Sequence, residues 1–314
     1  MRTLYLHIGR GKTGTTAIQR YCATQRDALL AAGVDYLMTG DMGRGHGHQS
    51  LAKGFIADVP GYMIPANNPE QVRTDTAAEI AASAAPNILL SSENFPLADI
   101  ARVRDWIGTL PDIAAVKVIF FVRSQDELAE SEYNQMVKLK GEARSLADYA
   151  AALEGADYMH ESRGWAEAFG AENLICRVFD ASGGVLTGFL ECLPVDPAAL
   201  PEPTRGNPTD AAAYANKSLG AKALGTALLL NRIEIAERLS LYRDLFARFE
   251  GQDIPAVLMS SAEARALRAR FAASNAAFSE TYLGTRCEDL GGRRYDDATR
   301  DALFAQVKAL NIAP

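Results

Sequence analysis

Positive charge is scarce in this chain. Lys and Arg together number 32 against 39 Asp and Glu, a net charge of −7. A protein that coats nucleic acid needs a basic face, so that class of partner is excluded. A small basic pocket for a compact anion is not. Long apolar runs are lacking too, and none approaches the ~18 to 20 residues of a membrane span. The first apolar stretch, residues 4–8 with His7 inside it, runs straight into a glycine-rich loop. It does not read as a signal peptide, and the expected location is the cytoplasm. There are four cysteines (Cys22, Cys176, Cys192 and Cys287), and no two form a C-x-x-C pair. Zinc-ribbon and dithiol-redox readings therefore lack their signature, and the thiols are expected to be reduced and mostly buried.

What is present is the composition of a soluble globule, with 48% hydrophobic and 23% charged residues. The 314 residues suit one large α/β domain or two small ones. Short apolar runs at 3–8, 34–38, 87–91, 117–122 and 173–179 alternate with helical patterns. Continuous rather than alternating apolar runs mark parallel strands covered on both faces. A helix is expected over 15–32, with Gly33 suited to the left-handed position that ends it. Ser124-Gln-Asp-Glu127 reads as a capping box opening the helix after the fourth strand. A proline-rich link, "PVDPAALPEPTRGNP", precedes a tail with helical patterns at about 210–219, 221–249, 262–283 and 296–310. The expected fold is α/β: a parallel sheet of about five strands flanked by helices, with a helical C-terminal part. We expect a single domain over 1–314, its sheet core at 1–195 and its helical part at 205–314.

In open parallel sheets, ligands bind beyond the carboxyl ends of the strands. After the first strand comes Gly9-Arg10-Gly11-Lys12-Thr13-Gly14-Thr15-Thr16. Glycines let backbone N–H groups turn inward as an anion nest, and the helix starting near Thr15 adds its N-terminal dipole. Lys12 supplies a point charge and the threonines supply hydroxyls. The order differs from the common nucleotide loop, which ends Gly-Lys-Ser/Thr. After the third strand comes Ser91-Ser92-Glu93-Asn94. Glu93 reads either as a base for a substrate hydroxyl or as a first-turn helix residue complementing the dipole before Pro96. After the fourth strand comes Arg123, with Ser131 on the following helix. Seven residues beyond Ser124, Ser131 returns to nearly the same helical face, roughly 10 Å along the axis. Arg123 and Ser131 could grip one compact anion, a weak pair alone and a stronger one beside an anion loop.

Two anion sites with a carboxylate between them suit a nucleotide carrying two separate phosphate groups. ATP chemistry instead needs Mg²⁺, held by the loop Ser/Thr and an Asp ending an apolar strand. Asp180 is the one weak candidate for that Asp.

These residues resemble the sulfotransferases that use 3′-phosphoadenosine 5′-phosphosulfate (PAPS), in their bacterial branch. "LHIGRGKTGTTAIQRYC" is similar to the family's 5′-phosphosulfate loop. "VIFFVRSQDELAESEYNQMVK" is similar to its 3′-phosphate motif, an arginine ending a strand with a serine eight positions on. "ILLSSENF" stands where the family places its catalytic base, and Glu93 there resembles the glycan-modifying branch rather than the histidine of many cytosolic animal members. "NKSLGAKAL…LLLNR" and "SNAAFSETYL" are similar less specifically. The family's Arg-Lys-Gly loop over the 3′-phosphate is not evident, and Thr204-Arg205-Gly206 or Lys217 would stand in for it.

The resemblance implies a P-loop-like sulfotransferase fold and transfer of a sulfuryl group from PAPS to a hydroxyl or amine. The acceptor is a small molecule, glycan or lipid head group, the product nucleotide is PAP (adenosine 3′,5′-bisphosphate), and no metal is required. The implied cofactor residues are Arg10, Gly11, Lys12, Thr13, Gly14, Thr15, Thr16, Arg123, Ser131 and Arg205. The implied catalytic residues are Lys12 and Glu93, with His48 next in line as base. "GRGHGHQSLAKGF", residues 43–55, reads as an acceptor-side lid, a plain loop or a metal site, the last without a third ligand at convincing spacing. His7, inside a strand, is expected to be a packed core histidine. The rival readings are a P-loop kinase or NTPase and a non-catalytic nucleotide-binding relative.

Overall fold

The computed structural model describes residues 1–40, 46–60, 63–153, 155–180, 184–202, 219–231, 249, 258–292, 295–298 and 300–301. Five strands form one sheet: β1 (Arg2–His7), β2 (Val34–Tyr36), β3 (Asn87–Ser91), β4 (Ile113–Val122) and β5 (Leu174–Val178). The order is β2-β3-β1-β4-β5 and every pairing is parallel. The apolar runs behave as their continuity requires. Leu4, Leu6, Ile88, Leu89 and Leu90 are all 0% exposed, on both faces of adjacent central strands. Fully burying one such side chain stabilises by ~1.5–3 kcal/mol, which fixes the strand register firmly.

Among the described residues the α-helices are α1 (Thr15–Thr24), α2 (Arg26–Ala31), α3 (Gln49–Lys53), α4 (Pro69–Ala82), α5 (Ile100–Gly108), α6 (Gln125–Lys140), α7 (Leu146–Ala151), α8 (Tyr158–Phe169), α9 (Val185–Leu190), α10 (Ala221–Asn231) and α11 (Ser261–Tyr282). The single helix expected over 15–32 is two, broken at Gln25, whose ψ of 22° leaves the helical well. Gly33 has the expected left-handed φ of 87°. β4 begins earlier than its apolar run, because Ile113 pairs with Arg2 across a register shift. Ser124 is the N-cap of α6, but its hydroxyl donates to the Asp126 carboxylate instead of closing the capping box. Most of the patterns at 210–219, 221–249 and 296–310 lies outside the described residues.

The chain clusters into two compact units. The first comprises Met1–Arg123, Asp157–Thr204 and Ala277–Arg286, and so holds the whole sheet. On one face of that sheet, Ile18, Tyr21 and Cys22 of α1 and Phe189 of α9 pack with Leu89, Ile119 and Phe121. On the other, Phe120 meets Tyr158 and Phe278 edge-on. The second unit comprises Ser124–Ala156, Arg205–Ala276 and Cys287–Pro314. Within it Tyr133 and Val137 of α6 pack on Leu219, Ala223 and Leu224. Asn134 fixes that contact, donating to Leu219 O (2.9 Å) and accepting from Leu219 N (2.8 Å). Among the described residues no helix is long and apolar enough to cross a membrane.

Candidate functional site

The first unit gathers most of the sequence-predicted residues at the carboxyl edge of β1, β3 and β4. The loop after β1 is tightly wound. Gly14, the N-cap of α1, has φ 79°, and Lys12 has φ 69°. A lysine in that left-handed well costs ~1–2 kcal/mol, and such cost is characteristically concentrated at ligand sites. Alternation into the left-handed region turns successive N–H groups to one side, as an anion nest requires.

Two threonine hydroxyls are already spent within the loop. Thr13 Oγ1 donates to Arg10 O at 2.6 Å and Thr15 Oγ1 to the same oxygen at 3.2 Å. Thr16, half-buried, is the remaining loop hydroxyl. The glycines serve close approach as well as turning. A Cβ on Gly14 would lie 2.9 Å from Val185 Cγ2, and one on Gly9 would lie 2.8 Å from both His7 Nε2 and Thr15 Oγ1. Over Gly11 a Cβ would meet nothing within 4 Å, so one side of the loop is open.

Arg123, ending β4, joins this loop. Its Nη1 donates to Lys12 O at 3.0 Å, and its guanidinium carbon lies 4.9 Å from the Phe179 ring centroid. Tyr158 Oη holds the Arg123 backbone, accepting from its N–H at 3.3 Å and donating to its carbonyl. The guanidinium of Arg10 turns elsewhere, into an ion pair with Glu161 and over the Tyr158 ring. Arg10 thus gives the loop its carbonyl, while its charge is balanced by a carboxylate.

Glu93 precedes the short 3₁₀ turn Phe95–Leu97 instead of lying in it. Its Oε2 accepts from Gln19 Nε2 at 3.1 Å and from Gln49 Nε2 at 3.4 Å. Lys53 feels the Glu93 charge: burial pulls the ammonium pKa down, and the carboxylate raises it in part. Ser91 is the hub behind them. His48 N donates to Ser91 O at 2.8 Å, and Ser91 N donates to His48 Nδ1 at 3.0 Å. Nδ1 also lies 3.2 Å from Ser91 O, but that oxygen already accepts from His48 N and the Ser91 N–H can only donate, so the shorter contact assigns Nδ1 as acceptor and the ring extends the β3 end like another rung.

His7 is fully buried, with Nδ1 2.8 Å from Ser91 Oγ and its ring between Phe121 and Phe189. Burial pushes it from 6.5 down to about 3, so it packs as the neutral form. The unfolded chain therefore takes up a proton that the folded chain refuses. Stability from this residue is complete above about pH 6.5 and is lost as the pH falls toward 3, at ~1.4 kcal/mol per pH unit. Urea midpoints measured between pH 7 and 4.5 should decline accordingly, and a His7→Leu variant should lack that part of the slope. Cys22 and Cys176 are likewise inert: burial pushes Cys176 up to about 12 and Cys22 further.

Ser131 lies half-buried on α6, in the second unit. Arg205 lies outside the described residues, as do Thr204, Gly206, Lys217 and residues 43–45 of the histidine loop. Among the described residues no group of three or more His, Cys, Asp or Glu side chains is placed to hold a metal.

No family model and no curated protein matches the chain. Solved structures are similar to it at low level, among them two sulfotransferases. One is a sulfotransferase from Alicyclobacillus acidocaldarius: 15% identity, TM-score 0.42, covering 77% of this chain and 99% of that one. The other is the sulfotransferase domain from the curacin biosynthetic pathway: 14% identity, TM-score 0.38, covering 86% of this chain and 96% of that one.

The sequence reading did not single out Gln19, Gln49, Tyr158, Glu161 or Phe179. Gln19 carried a usable signal. It stands four residues after Thr15, so an α1 that starts at the sheet edge with Thr15 turned inward also turns Gln19 to that face. Tyr158 and Glu161 come from a helix far along the chain, and no local spacing pointed to them.

Proposed function

We propose that the protein is a sulfotransferase that moves a sulfuryl group from PAPS to a hydroxyl or amine of a small molecule, glycan or lipid head group. The observation that carries this reading is the meeting of the glycine loop and Arg123 at one sheet edge. The strained, lysine-bearing loop after β1 is tied through Lys12 O to Arg123 at the end of β4. A nucleotide with phosphates at two separate positions needs such a pair, whereas the single phosphate chain of ATP needs the loop and a metal. The loop fits a 5′-phosphosulfate by its open side over Gly11 and its left-handed turns. Arg123, already stacked on Phe179, would hold the 3′-phosphate.

PAPS supplies an activated sulfur whose bond to the bridging phosphate oxygen breaks as the bond to the acceptor oxygen or nitrogen forms. The electron pair of the broken bond stays on the phosphate. Lys12 and the loop N–H groups stabilise that growing negative charge. Glu93 takes the acceptor proton, and half-burial beside two amide donors keeps its carboxylate oriented. His48 is the next basic group along this edge.

The rival kinase or NTPase reading makes an opposite prediction. Titration with PAP is expected to raise the unfolding midpoint by about 5 °C at a hundredfold excess over Kd, without Mg²⁺. ATP with Mg²⁺ should leave it nearly unchanged. The reverse ranking would favour the kinase or NTPase.

A further inference from the structure

We infer that Gln19 is a positioning residue for the Glu93 carboxylate, and that Gly47 of the His46-Gly47-His48 turn makes room for it. The inference rests on the sulfotransferase reading and adds a device to its base. Gln19 is only 2% exposed, and its amide is fully committed. Nε2 donates to Glu93 Oε2 at 3.1 Å and lies 3.3 Å from Ser91 Oγ, while Oε1 accepts from Gln49 Nε2 at 3.1 Å. Gln49 itself reaches the same Glu93 oxygen, so two amides converge on one carboxylate atom. Glu93 Oε1 is left as the oxygen outside this grip. An amide held from both ends cannot rotate, and it fixes Glu93 without contributing a charge of its own.

Gly47 is the second observation. A Cβ there would fall 2.4 Å from Gln19 Cδ, 2.5 Å from Oε1 and 2.6 Å from Nε2. The backbone of the turn thus lies flat against the Gln19 amide. That gives the glycine between the two histidines a physical reason: any side chain would push the amide off Glu93. What must yield is the end of a side chain and not backbone, so Gly47→Ala displaces the amide at the cost of its hydrogen bonds.

The test uses four full-length proteins: wild type, Gln19→Met, Glu93→Ala and the double variant. Turnover is followed with ³⁵S-labelled PAPS and an acceptor found from host cell extract, and unfolding midpoints are measured alongside. Methionine keeps the shape and removes the donor. Loss of a hydrogen bond to a charged group predicts a fall in kcat of about tenfold or more, with the KM for PAPS within about twofold. Because Gln19 acts through Glu93, Gln19→Met should change little once Glu93 is alanine, and the unfolding midpoints should be non-additive. Gly47→Ala, which touches neither reacting group, should reproduce the kcat loss even if Gln19→Met fails to fold. Full turnover in both Gln19→Met and Gly47→Ala overturns the inference. So does an equal fold loss in both Glu93 backgrounds, or additive unfolding. A wild type that transfers no sulfuryl group while its unfolding cycle is non-additive would sink the sulfotransferase reading. The positioning role of Gln19 in turnover would fall with it, leaving a purely structural contact.

Discussion

Lys12→Ala is expected to cut sulfuryl transfer by about 10²–10³-fold, read in kcat more than in the KM for the acceptor. That is the usual effect of removing one preorganised stabiliser of charge that develops in the transition state. The argument begins in the backbone. Lys12 occupies a left-handed conformation, φ 69°, that any non-glycine residue adopts at a cost. The loop is held there by the Thr13 and Thr15 hydroxyls on Arg10 O and by Arg123 on Lys12 O. A fold has no reason of its own to put a lysine where glycine is more comfortable. Lys12→Gly should therefore be equally inactive yet more stable than Lys12→Ala, by up to about 1 kcal/mol, because both lose the ammonium and only one keeps the strain. Equal stability of the two variants in urea titrations would show that the turn is not strained at this position.

Glu93→Gln is expected to lower kcat by about 10²–10⁴-fold while leaving PAP binding intact. The substitution keeps the size of the side chain and its place beside Gln19 and Gln49. It removes the capacity to accept a proton. Near wild-type turnover would move the base elsewhere, with His48 the first residue to replace next. His48 starts at a disadvantage, since its Nδ1 lone pair already takes the Ser91 N–H. The split between lost turnover and retained PAP binding separates loss of the base from damage to the nucleotide site.

The sheet was legible because central parallel strands must be apolar on both faces. Leu4, Leu6, Leu89 and Phe121 are buried where the unbroken apolar runs predicted strands. The loop after β1 was legible as a backbone event, from its glycines and their place between a strand and a helix. Thr13 and Thr15 were harder. Their side chains turn inward to the Arg10 carbonyl, a choice that depends on how the loop closes and not on composition. Arg10 shows the same limit. It sits among the loop residues in sequence, yet its guanidinium is claimed by Glu161, 151 positions along the chain. Gln19 meets Glu93 across 74 positions and Tyr158 meets Arg123 across 35. Such contacts follow only from strand order, which places β1 between β3 and β4 and so brings their carboxyl ends together. The break at Gln25 and the early start of β4 are smaller failures of the same kind, set by neighbours and not by local pattern.

Transfer of ³⁵S from labelled PAPS into a product, assayed with and without a metal chelator, addresses the central claim directly. The expected result is a labelled product from host cell extract that forms in the presence of chelator, accumulates with PAP, and is lost with Lys12→Ala and Glu93→Gln. Absence of any labelled product, together with stabilisation by ATP and Mg²⁺ but not by PAP, would contradict it.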